Sequence, residues 1–377
     1  MDIQQIMILV GNGFDMSVLK KYGSGVTTSY STFYSYYKYR HGENTDNILV
    51  KQMEEAQKNK KENWSDFEEI LTRNIENISV KDTEQIQRLK DDLNELQCCF
   101  SRFLNDVVNN DIIDKLSNAT NIKVEITPNC KETYSEQTYT RFLGDLSESE
   151  YKRCEFHNRI DNHHKLRYIF INFNYTSLLD NYLYLDKDVF SPRPYKTSDN
   201  NICFWTNPKG YQGHSTIDNG YTFGNALCEL LPVDIYHPHG VQNVPKSLLF
   251  GTESSKCNDV KDERRTFIKS FWARCEERYA DKFKTTSLFI IYGCSLGASD
   301  SWWWNKIYQR LIENDFAELI IYNFGNEDRS VVINRFIQGC GKQKVDEKEY
   351  VAVAKHIFVI NFGKQETQDI VFLQLPD

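Results

Sequence analysis

The sequence predicts an α/β fold in which a doubly wound, mostly parallel sheet carries a helical insertion. Short apolar runs such as Ile6–Val10 and Leu288–Tyr292 are typical of buried parallel strands. They alternate along the chain with segments of helical patterning, which favours parallel strands joined by crossover helices. Residues 28–120 carry helical patterns almost throughout, and we interpret them as an inserted helical layer.

The composition limits the classes of protein to which the chain can belong. The chain has 377 residues, 26 % of them charged, and a net charge of −8. This balance gives no global attraction to nucleic acid or to an anionic membrane, so we expect neither as a specific partner. No apolar run approaches the roughly eighteen residues of a membrane span, and the N-terminus does not resemble a secretory signal. We expect one domain over residues 1–377.

The cysteines indicate a reducing compartment. Ten are scattered along the chain, and no two have C-x-x-C spacing. A structural zinc site is therefore not expected, and neither is a disulfide framework. The simplest interpretation is a cytoplasmic protein with buried thiols and no bound metal.

The first strand is followed by a glycine turn. Ile6–Val10 leads into Gly11–Asp15, and a short helix is expected from Phe14 to Leu19. A strand, a Gly-x-Gly turn and a helix N-terminus together favour an anion site, because free amides and the helix dipole point the same way. The third glycine of the dinucleotide fingerprint is missing. A carboxylate disfavours a neighbouring phosphate, so Asp15 is expected to meet ribose hydroxyls or to cap the helix.

Capping residues and periodicity define the helical layer. Thr28 or Ser29 is expected to cap one helix, and Ser65 with Glu68 forms a capping-box pattern for another. Residues 41–63 are polar and predict a loop or an exposed helix.

A long amphipathic helix is the clearest periodic feature of the chain. Apolar residues recur every three or four positions from Ile86 to Val107, with Asp82 as the expected cap. Packing inside its own domain is the favoured interpretation, and a seam for a partner helix is the alternative.

The second half of the chain contains further strands and two irregular regions. Residues 118–165 predict loops with a short strand at Ile122–Ile126, and residues 186–232 predict a variable loop insertion. A charged helix is expected over 261–284. The remaining expected elements are strands Tyr168–Phe173, Val233–Tyr236, Leu288–Tyr292, Glu318–Phe324 and His356–Phe362, and a helix Asp300–Ile312.

Polar or glycine-rich turns follow four of these strands. They lie at residues 11–15, 172–180, 237–240 and 293–300. Ligands of open α/β sheets bind outside the carboxyl ends of the strands, where the strand order reverses. Since parallel strands place these ends on one edge, we expect the four turns to contribute to one site.

Several ordered motifs carry a resemblance to a known family. They are Val10-Gly11-Asn12-Gly13-Phe14-Asp15, Thr28-Ser29-Tyr30-Ser31, Trp64-Ser65-Asp66-Phe67-Glu68, Phe173-Asn174-Tyr175-Thr176, His239-Gly240, Phe250-Gly251-Thr252-Glu253 and Tyr292-Gly293-Cys294-Ser295-Leu296 with Asp300. In this order, from residue 6 to about 325, the chain resembles the AbiH phage abortive-infection family. AbiH proteins in turn resemble the sirtuin-like NAD-binding fold, which implies a Rossmann-type sheet and a role in antiphage defence.

The resemblance implies roles for individual residues. The glycine-rich turn would hold the phosphates of NAD, Asn174 would hold ribose or water, and His239 of the His-Gly pair would be the general base. The implied cofactor-binding residues are Gly11, Asn12, Gly13, Phe14, Asp15, Gly240, Gly293, Ser295 and Asp300. Two departures from the sirtuin-like pattern stand out. Thr176 replaces an aspartate, and the four-cysteine zinc module is absent, which argues against lysine deacylation.

The chemistry of N-glycosidic cleavage suits these residue types. The reaction passes through an oxocarbenium-like species, and its base needs a pKa near neutrality, which histidine has. A neutral amide such as Asn174 can orient water or a hydroxyl, or it can simply cap the next helix. His237 competes with His239 for the role of base. Glu253 is a candidate for polar lining of the site.

The expected function is therefore binding of NAD, as substrate or ligand, and hydrolysis of its nicotinamide–ribose bond in response to a phage-derived trigger. A homo-oligomer is a further expectation. A non-catalytic nucleotide sensor that recruits a partner is the alternative from another class. A Mg²⁺-dependent nuclease or phosphohydrolase using Asp15, Asp66, Glu68 and Glu69 ranks below both.

Overall fold

The computed structural model describes residues 3–42, 45–61, 66–128, 130–162, 164–183, 201–211, 224–253, 257, 261–342, 345–364 and 369–376. Its strands are β1 (Ile3–Val10), β2 (Lys123–Thr127), β3 (Cys130–Thr133), β4 (Lys165–Asn172), β5 (Asn201–Phe204), β6 (Ala226–Leu230), β7 (Asp234–Tyr236), β8 (Thr286–Tyr292), β9 (Glu318–Phe324) and β10 (Ile357–Phe362). Its helices are α1 (Gly13–Tyr22), α2 (Tyr30–His41), α3 (Ile48–Lys58), α4 (Phe67–Asn77), α5 (Thr83–Val107), α6 (Asn110–Thr120), α7 (Tyr134–Thr140), α8 (Glu148–Arg153), α9 (Leu178–Leu183), α10 (Lys269–Trp272), α11 (Cys275–Thr285), α12 (Ser301–Glu313), α13 (Arg329–Gly339) and α14 (Glu347–Ala354).

A mostly parallel sheet forms the centre of this mixed α/β fold, as predicted. The strand order is β10-β9-β8-β1-β4-β6-β5, and β7 also pairs with β4. All of these pairs are parallel except β5 with β6. The chain runs from β1 to β4 on one side and later continues at β8 on the other. The strand order therefore reverses at β1.

Register brings the predicted turns together at one edge of the sheet. Val10 is opposite Asn172 on one neighbouring strand and Tyr292 on the other. The segments that follow, beginning at Gly11, Phe173 and Gly293, therefore leave the sheet side by side.

Helices pack on both faces of the sheet, because alternate strand residues point to opposite faces. Ile6 and Ile8 of β1 lie in one apolar cluster with residues of α1, α6 and α9. Met7 and Leu9 lie in a second cluster with residues of α11, α12 and α13. All four of these β1 side chains are fully buried.

Helices α2 to α5 share a third apolar cluster. Ser29 caps α2 by accepting a hydrogen bond from the Thr32 amide, and Asp82 caps α5, both within the alternatives predicted. The α5 stripe packs inside this cluster, which also takes in Phe250 and Phe267 from the chain after β7. The helical layer thereby packs against the segment that follows β7, near the carboxyl edge of the central sheet.

Two predictions in the helical layer need correction. Residues 48–58 form a helix, α3, which was one of the two alternatives, but its Leu49, Val50 and Met53 are buried rather than exposed, because they pack in the cluster shared with α4 and α5. The cap of α4 is Asp66, which accepts from the Glu69 amide at 3.0 Å. The capping box therefore does not start at Ser65, a residue outside the described ranges.

Residues 118–165 are ordered elements and not the predicted loops. The expected strand is present as β2, which pairs with β3, and helices α7 and α8 follow. Thr133 and Glu136 form a capping box that starts α7. Tyr139 and Tyr151 are fully buried, so these helices are fixed by a few large aromatic anchors.

The predicted helix over 261–284 is interrupted. A 3₁₀ turn at 263–267, the short α10 and then α11 occupy this stretch. Arg274, between the two α-helices, has a φ of +52°, which no continuous right-handed helix contains.

Part of the predicted loop insertion at 186–232 joins the central sheet through β5 and β6. Residues 184–200 and 212–223 lie outside the described part of the chain. Among the described helices, none combines the length and the apolar content that crossing a bilayer requires.

Candidate functional site

A cavity of about 1680 Å³ lies at the carboxyl edge of the sheet. Its lining takes residues from all four turns that the sequence singles out. Among the predicted site residues, the lining includes Gly11, Asn12, Gly13, Asp15, Asn174, His239, Gly293, Ser295 and Asp300. The shared edge thus brings most of the predicted residues to one space, large enough for a dinucleotide-sized ligand.

Two of the predicted residues lie outside this lining. Phe14 is fully buried in the core, where its ring packs edge-on against Tyr182. Gly240 has a φ of +87°, and a Cβ there would lie 1.9 Å from the Ser247 carbonyl oxygen. Both positions are therefore explained by folding, and the expectation that they contact a ligand is not supported by their placement.

The glycine turn is shaped by its neighbouring loop. A Cβ at Gly13 would lie 2.6 Å from the Gly293 Cα. The Gly13 amide donates to the Gly293 carbonyl at 2.9 Å, and the Phe14 amide donates to the Gly11 carbonyl at 3.1 Å. Two of the amides expected to bind a phosphate are thus already hydrogen-bonded to backbone carbonyls of the protein. Glycine is needed at these positions because the turns after β1 and β8 are in contact.

His239 is one of the two histidines predicted as candidates for the general base. It is 4 % exposed, lines the cavity and stacks on Phe173 with ring centroids 4.9 Å apart. Its Nε2 lies 3.2 Å from Asp300 Oδ1, an ion-pair distance without hydrogen-bond geometry. His237 instead places Nε2 2.9 Å from Asp180 Oδ1. His239 is therefore the histidine at the cavity.

A buried ion cluster lies beside His239 and lines the same cavity. The Lys269 ammonium lies 2.9 Å from Glu68 Oε2 and 3.4 Å from Asp300 Oδ1, and Lys269 is 4 % exposed. Burial opposes ionisation of Asp300, but Lys269 and His239 hold its pKa well below the ordinary value. Burial raises the pKa of Glu68, and Lys269 opposes that rise. Asp300 is thus an anion between a lysine and the imidazole.

Lys269 is the site residue that the sequence does not reveal. It stands in a charged stretch, and its partners are distant in sequence. Since lysine is buried only when its charge is paired, its burial beside two carboxylates is recognisable from the fold alone.

The side chain of Asn174 is buried but unpaired. The residue is 3 % exposed and lines the cavity, and neither Nδ2 nor Oδ1 has a hydrogen-bond partner among the described residues. The backbone amide of Asn174 donates to Asn172 Oδ1 at 3.0 Å. The alternative that this side chain caps the next helix is therefore wrong. A buried amide without partners is rare in proteins and indicates a ligand or bound water.

Two further carboxyls of the lining have raised pKa values. Burial raises the pKa of Asp15 to about 7, although Thr176 Oγ1 donates to its Oδ2 at 2.7 Å. Burial likewise raises the pKa of Glu253 to about 7, and Ser270 Oγ donates to it at 2.8 Å. Carboxyls with such values in a cleft are typical of functional sites.

The carboxylates of the nuclease alternative also line the cavity, but most have other partners. Asp66 caps α4, Glu69 pairs with Arg73, and Glu68 pairs with Lys269. Across the described ranges, no group of three or more His, Cys, Asp or Glu side chains is arranged to hold a metal ion.

A family model described as bacteriophage abortive infection AbiH matches residues 7–322. The chain belongs to the AbiH family. The match runs from β1 to β9 and includes every residue of the cluster formed by His239, Asp300, Lys269 and Glu68. Membership implies a role for this AbiH protein in phage abortive infection. No curated protein matches the AbiH chain.

Proposed function

We propose that this AbiH protein binds NAD or a related nucleotide in the cavity and hydrolyses the nicotinamide–ribose bond during phage defence. The observation that carries the proposal is the unpaired, buried amide of Asn174 in the same cavity as His239. One group can orient a water molecule and the other can take its proton, which are the two tasks that the reaction requires.

The topology supports a Rossmann-type, sirtuin-like assignment. Apart from β6, which also pairs in parallel with β4, the parallel strands follow the order β7-β4-β1-β8-β9-β10. Numbered in chain order, this is the 3-2-1-4-5-6 order of dinucleotide-binding sheets. The cavity lies at the carboxyl ends beside β1, where the order reverses, and that is where such sheets bind their ligands.

The reaction itself needs one base and one positioned water. As the bond between ribose C1′ and the nicotinamide nitrogen breaks, its electron pair leaves with nicotinamide. The oxygen of water, oriented by Asn174, then bonds to C1′, and its proton passes to the imidazole of His239. The products are nicotinamide and ADP-ribose.

Asp300 and Lys269 are positioning residues in this scheme. Asp300, 3.2 Å from His239 Nε2, stabilises the imidazolium that forms when the base takes a proton. Lys269 keeps Asp300 ionised, and it is in turn shared with Glu68 from the helical layer.

Product analysis tests the proposal. The purified full chain is incubated with NAD, alone and with extract from phage-infected cells, and nicotinamide is quantified by chromatography. We expect release of nicotinamide, reduced at least about 100-fold in His239→Ala and Asn174→Ala. The matched control is His237→Gln, which keeps a hydrogen-bond donor for Asp180 but lies outside the cavity lining, and it should retain wild-type release.

Two results would contradict hydrolysis. One is no nicotinamide release under either condition. The other is release that His239→Ala leaves unchanged. NAD that raises the melting temperature without any turnover would favour the nucleotide sensor instead.

A further inference from the structure

Two adjacent aromatic side chains are exposed to solvent on α10. Phe271 and Trp272 are 45 % and 59 % exposed. Trp205, Trp303 and Trp304 are buried, and Trp272 is the most exposed tryptophan in the described part of the chain. Large aromatic side chains are enriched at the buried centres of protein interfaces, and tryptophan is the residue type that most often dominates their binding energy. The pair therefore indicates an interaction surface.

The short helix that carries these rings is fixed on its inner side. Lys269, its first residue, is buried in the ion cluster, and its backbone amide donates to the Thr252 carbonyl at 2.9 Å. The Ala273 amide donates to the Lys269 carbonyl at 2.8 Å, and Arg274 then ends the helix with a φ of +52°. Because the backbone is held in this way, little conformational freedom is lost when a partner covers the rings.

Charges of both signs lie around the two rings. The guanidinium carbon of Arg265 lies 4.2 Å from the centroid of the Phe271 ring. The Arg274 amide donates to the Phe271 carbonyl at 3.1 Å, which places Arg274 next to the pair. The side chains of Arg274 and Glu277 are both exposed and lie 3.6 Å apart. An ion pair so exposed contributes little within its own chain, so both groups are available to another molecule.

This combination fits a second copy of the same chain. In a twofold contact a surface meets itself, so an apolar centre needs a rim that carries both charges. A rim of one sign would repel its own copy and would fit an oppositely charged partner instead. We propose that Phe271 and Trp272 form the centre of a twofold interface between two copies of this chain, in which Arg274 of each copy lies near Glu277 of the other.

The proposed interface lies on the helix that supplies Lys269 to the cavity. Lys269 anchors α10 on its inner side, and a second copy would cover its outer side. Assembly would therefore constrain the lysine that keeps Asp300 ionised. The interface does not depend on which ligand the cavity binds, so it stands or falls separately from NAD hydrolysis.

Sedimentation velocity of the full chain tests the interface. In the micromolar range the wild type should sediment as a dimer, with twice the chain mass of 44.3 kDa. Trp272→Arg should weaken dimerisation at least about tenfold, because it places a charge at the apolar centre. Tyr39→Arg is the matched control, since Tyr39 is an 86 % exposed aromatic residue on α2, and it should dimerise as the wild type does.

A charge exchange tests the twofold arrangement. Arg274→Glu makes the rim more acidic and Glu277→Arg makes it more basic, so each variant alone should dimerise at least about tenfold more weakly than the wild type. An equimolar mixture of the two variants should recover dimers, because the acidic rim of one then faces the basic rim of the other.

Three results would overturn the interface. They are a monomeric wild type in the micromolar range, a dimer that Trp272→Arg leaves intact, and a mixture of the charge variants that associates no better than its components. A wild type that stays monomeric but binds a protein from phage-infected cells would also overturn it, and would assign the patch to that partner. Thermal melting of each variant establishes that it is folded.

Discussion

His239 Nε2 lies 3.2 Å from Asp300 Oδ1, and Lys269 lies 3.4 Å from the same oxygen. One carboxylate oxygen thus lies close to both a histidine and a buried lysine, and both of these residues line the cavity. The arrangement fixes the charge of Asp300, because a carboxylate beside a buried lysine is hard to protonate. The proposed base therefore has a permanent anion at its side.

Replacing Asp300 tests the role of that anion. Asp300→Asn should lower NAD hydrolysis by about 100-fold, because the imidazolium loses its stabilising partner. The rate of nicotinamide release measures the effect. Asp281→Asn, an exposed aspartate that pairs with Lys284, is the control and should leave the rate unchanged. A folded Asp300→Asn protein that releases nicotinamide within twofold of the wild-type rate would contradict the positioning role of Asp300.

The buried lysine makes a prediction about stability. Lys269→Met removes the cation between Glu68 and Asp300, and it should lower the free energy of unfolding by about 3–5 kcal/mol. The double variant Lys269→Met/Glu68→Gln should recover part of this loss, since one uncompensated carboxylate is then neutral. Urea unfolding measures both. Equal stability of the single and double variants would show that Glu68 is not coupled to Lys269.

Asp145 predicts a dependence of stability on pH. Its carboxyl accepts hydrogen bonds from the Phe372 amide and the Tyr322 hydroxyl, and burial raises its pKa from the ordinary 3.8 to about 6. The folded state therefore binds a proton more tightly than the unfolded state between these values. The contribution of Asp145 to the free energy of unfolding is fully present below pH 3.8 and is lost as the pH rises to about 6.

The loss amounts to about 3 kcal/mol, since the shift is about two pKa units. Asp145→Asn cannot titrate, so its unfolding free energy should fall less steeply than that of the wild type between about pH 4 and pH 6. Asp15 and Glu253 still titrate toward pH 7 in that variant. Urea midpoints across this range measure the slope. Parallel curves for the two proteins would contradict the assignment.

The contact between two turns gives a prediction about packing. Gly13→Ala places a Cβ 2.6 Å from the Gly293 Cα and should lower stability by about 1–3 kcal/mol. Gly25 has a φ of +84° but nothing within 4 Å of its Cβ position, so Gly25→Ala carries backbone strain without a clash. It should be the milder change. A Gly13→Ala protein as stable as the wild type would show that the turns can separate at no cost.

The sheet was predictable because its signal is local. A buried parallel strand is a continuous apolar run, and Ile6–Val10 and Leu288–Tyr292 need no partner to be recognised. The helices of 118–165 gave no such signal. Each of these helices is held by one large buried side chain, Tyr139 or Tyr151. A single buried aromatic residue among polar residues produces no hydrophobic periodicity in the sequence.

The site was predictable only where a strand end marks it. Gly11, Asn174 and His239 follow strands, and a common edge brings them to one cavity. Their roles in binding and catalysis stay predictions. Lys269 and its bond to Glu68, 201 residues away along the chain, depend on tertiary packing that no local pattern reports.

The contact between Thr176 and Asp15 bears on the expected resemblance to the sirtuin-like pattern. The aspartate of that pattern is Thr176 here, and the Thr176 hydroxyl donates to Asp15 from the turn after β1. A carboxyl is therefore present beside this loop, although it comes from a residue 161 positions earlier.

The space between the Gly11 turn, Asn174 and His239 is the proposed binding site of a nicotinamide nucleotide. A crystal structure of the His239→Ala protein, which we expect not to turn NAD over, grown with saturating NAD tests this most directly. We predict NAD in this cavity, with its ribose beside Asn174. NAD bound elsewhere on the molecule, or no NAD bound at all, would contradict the account.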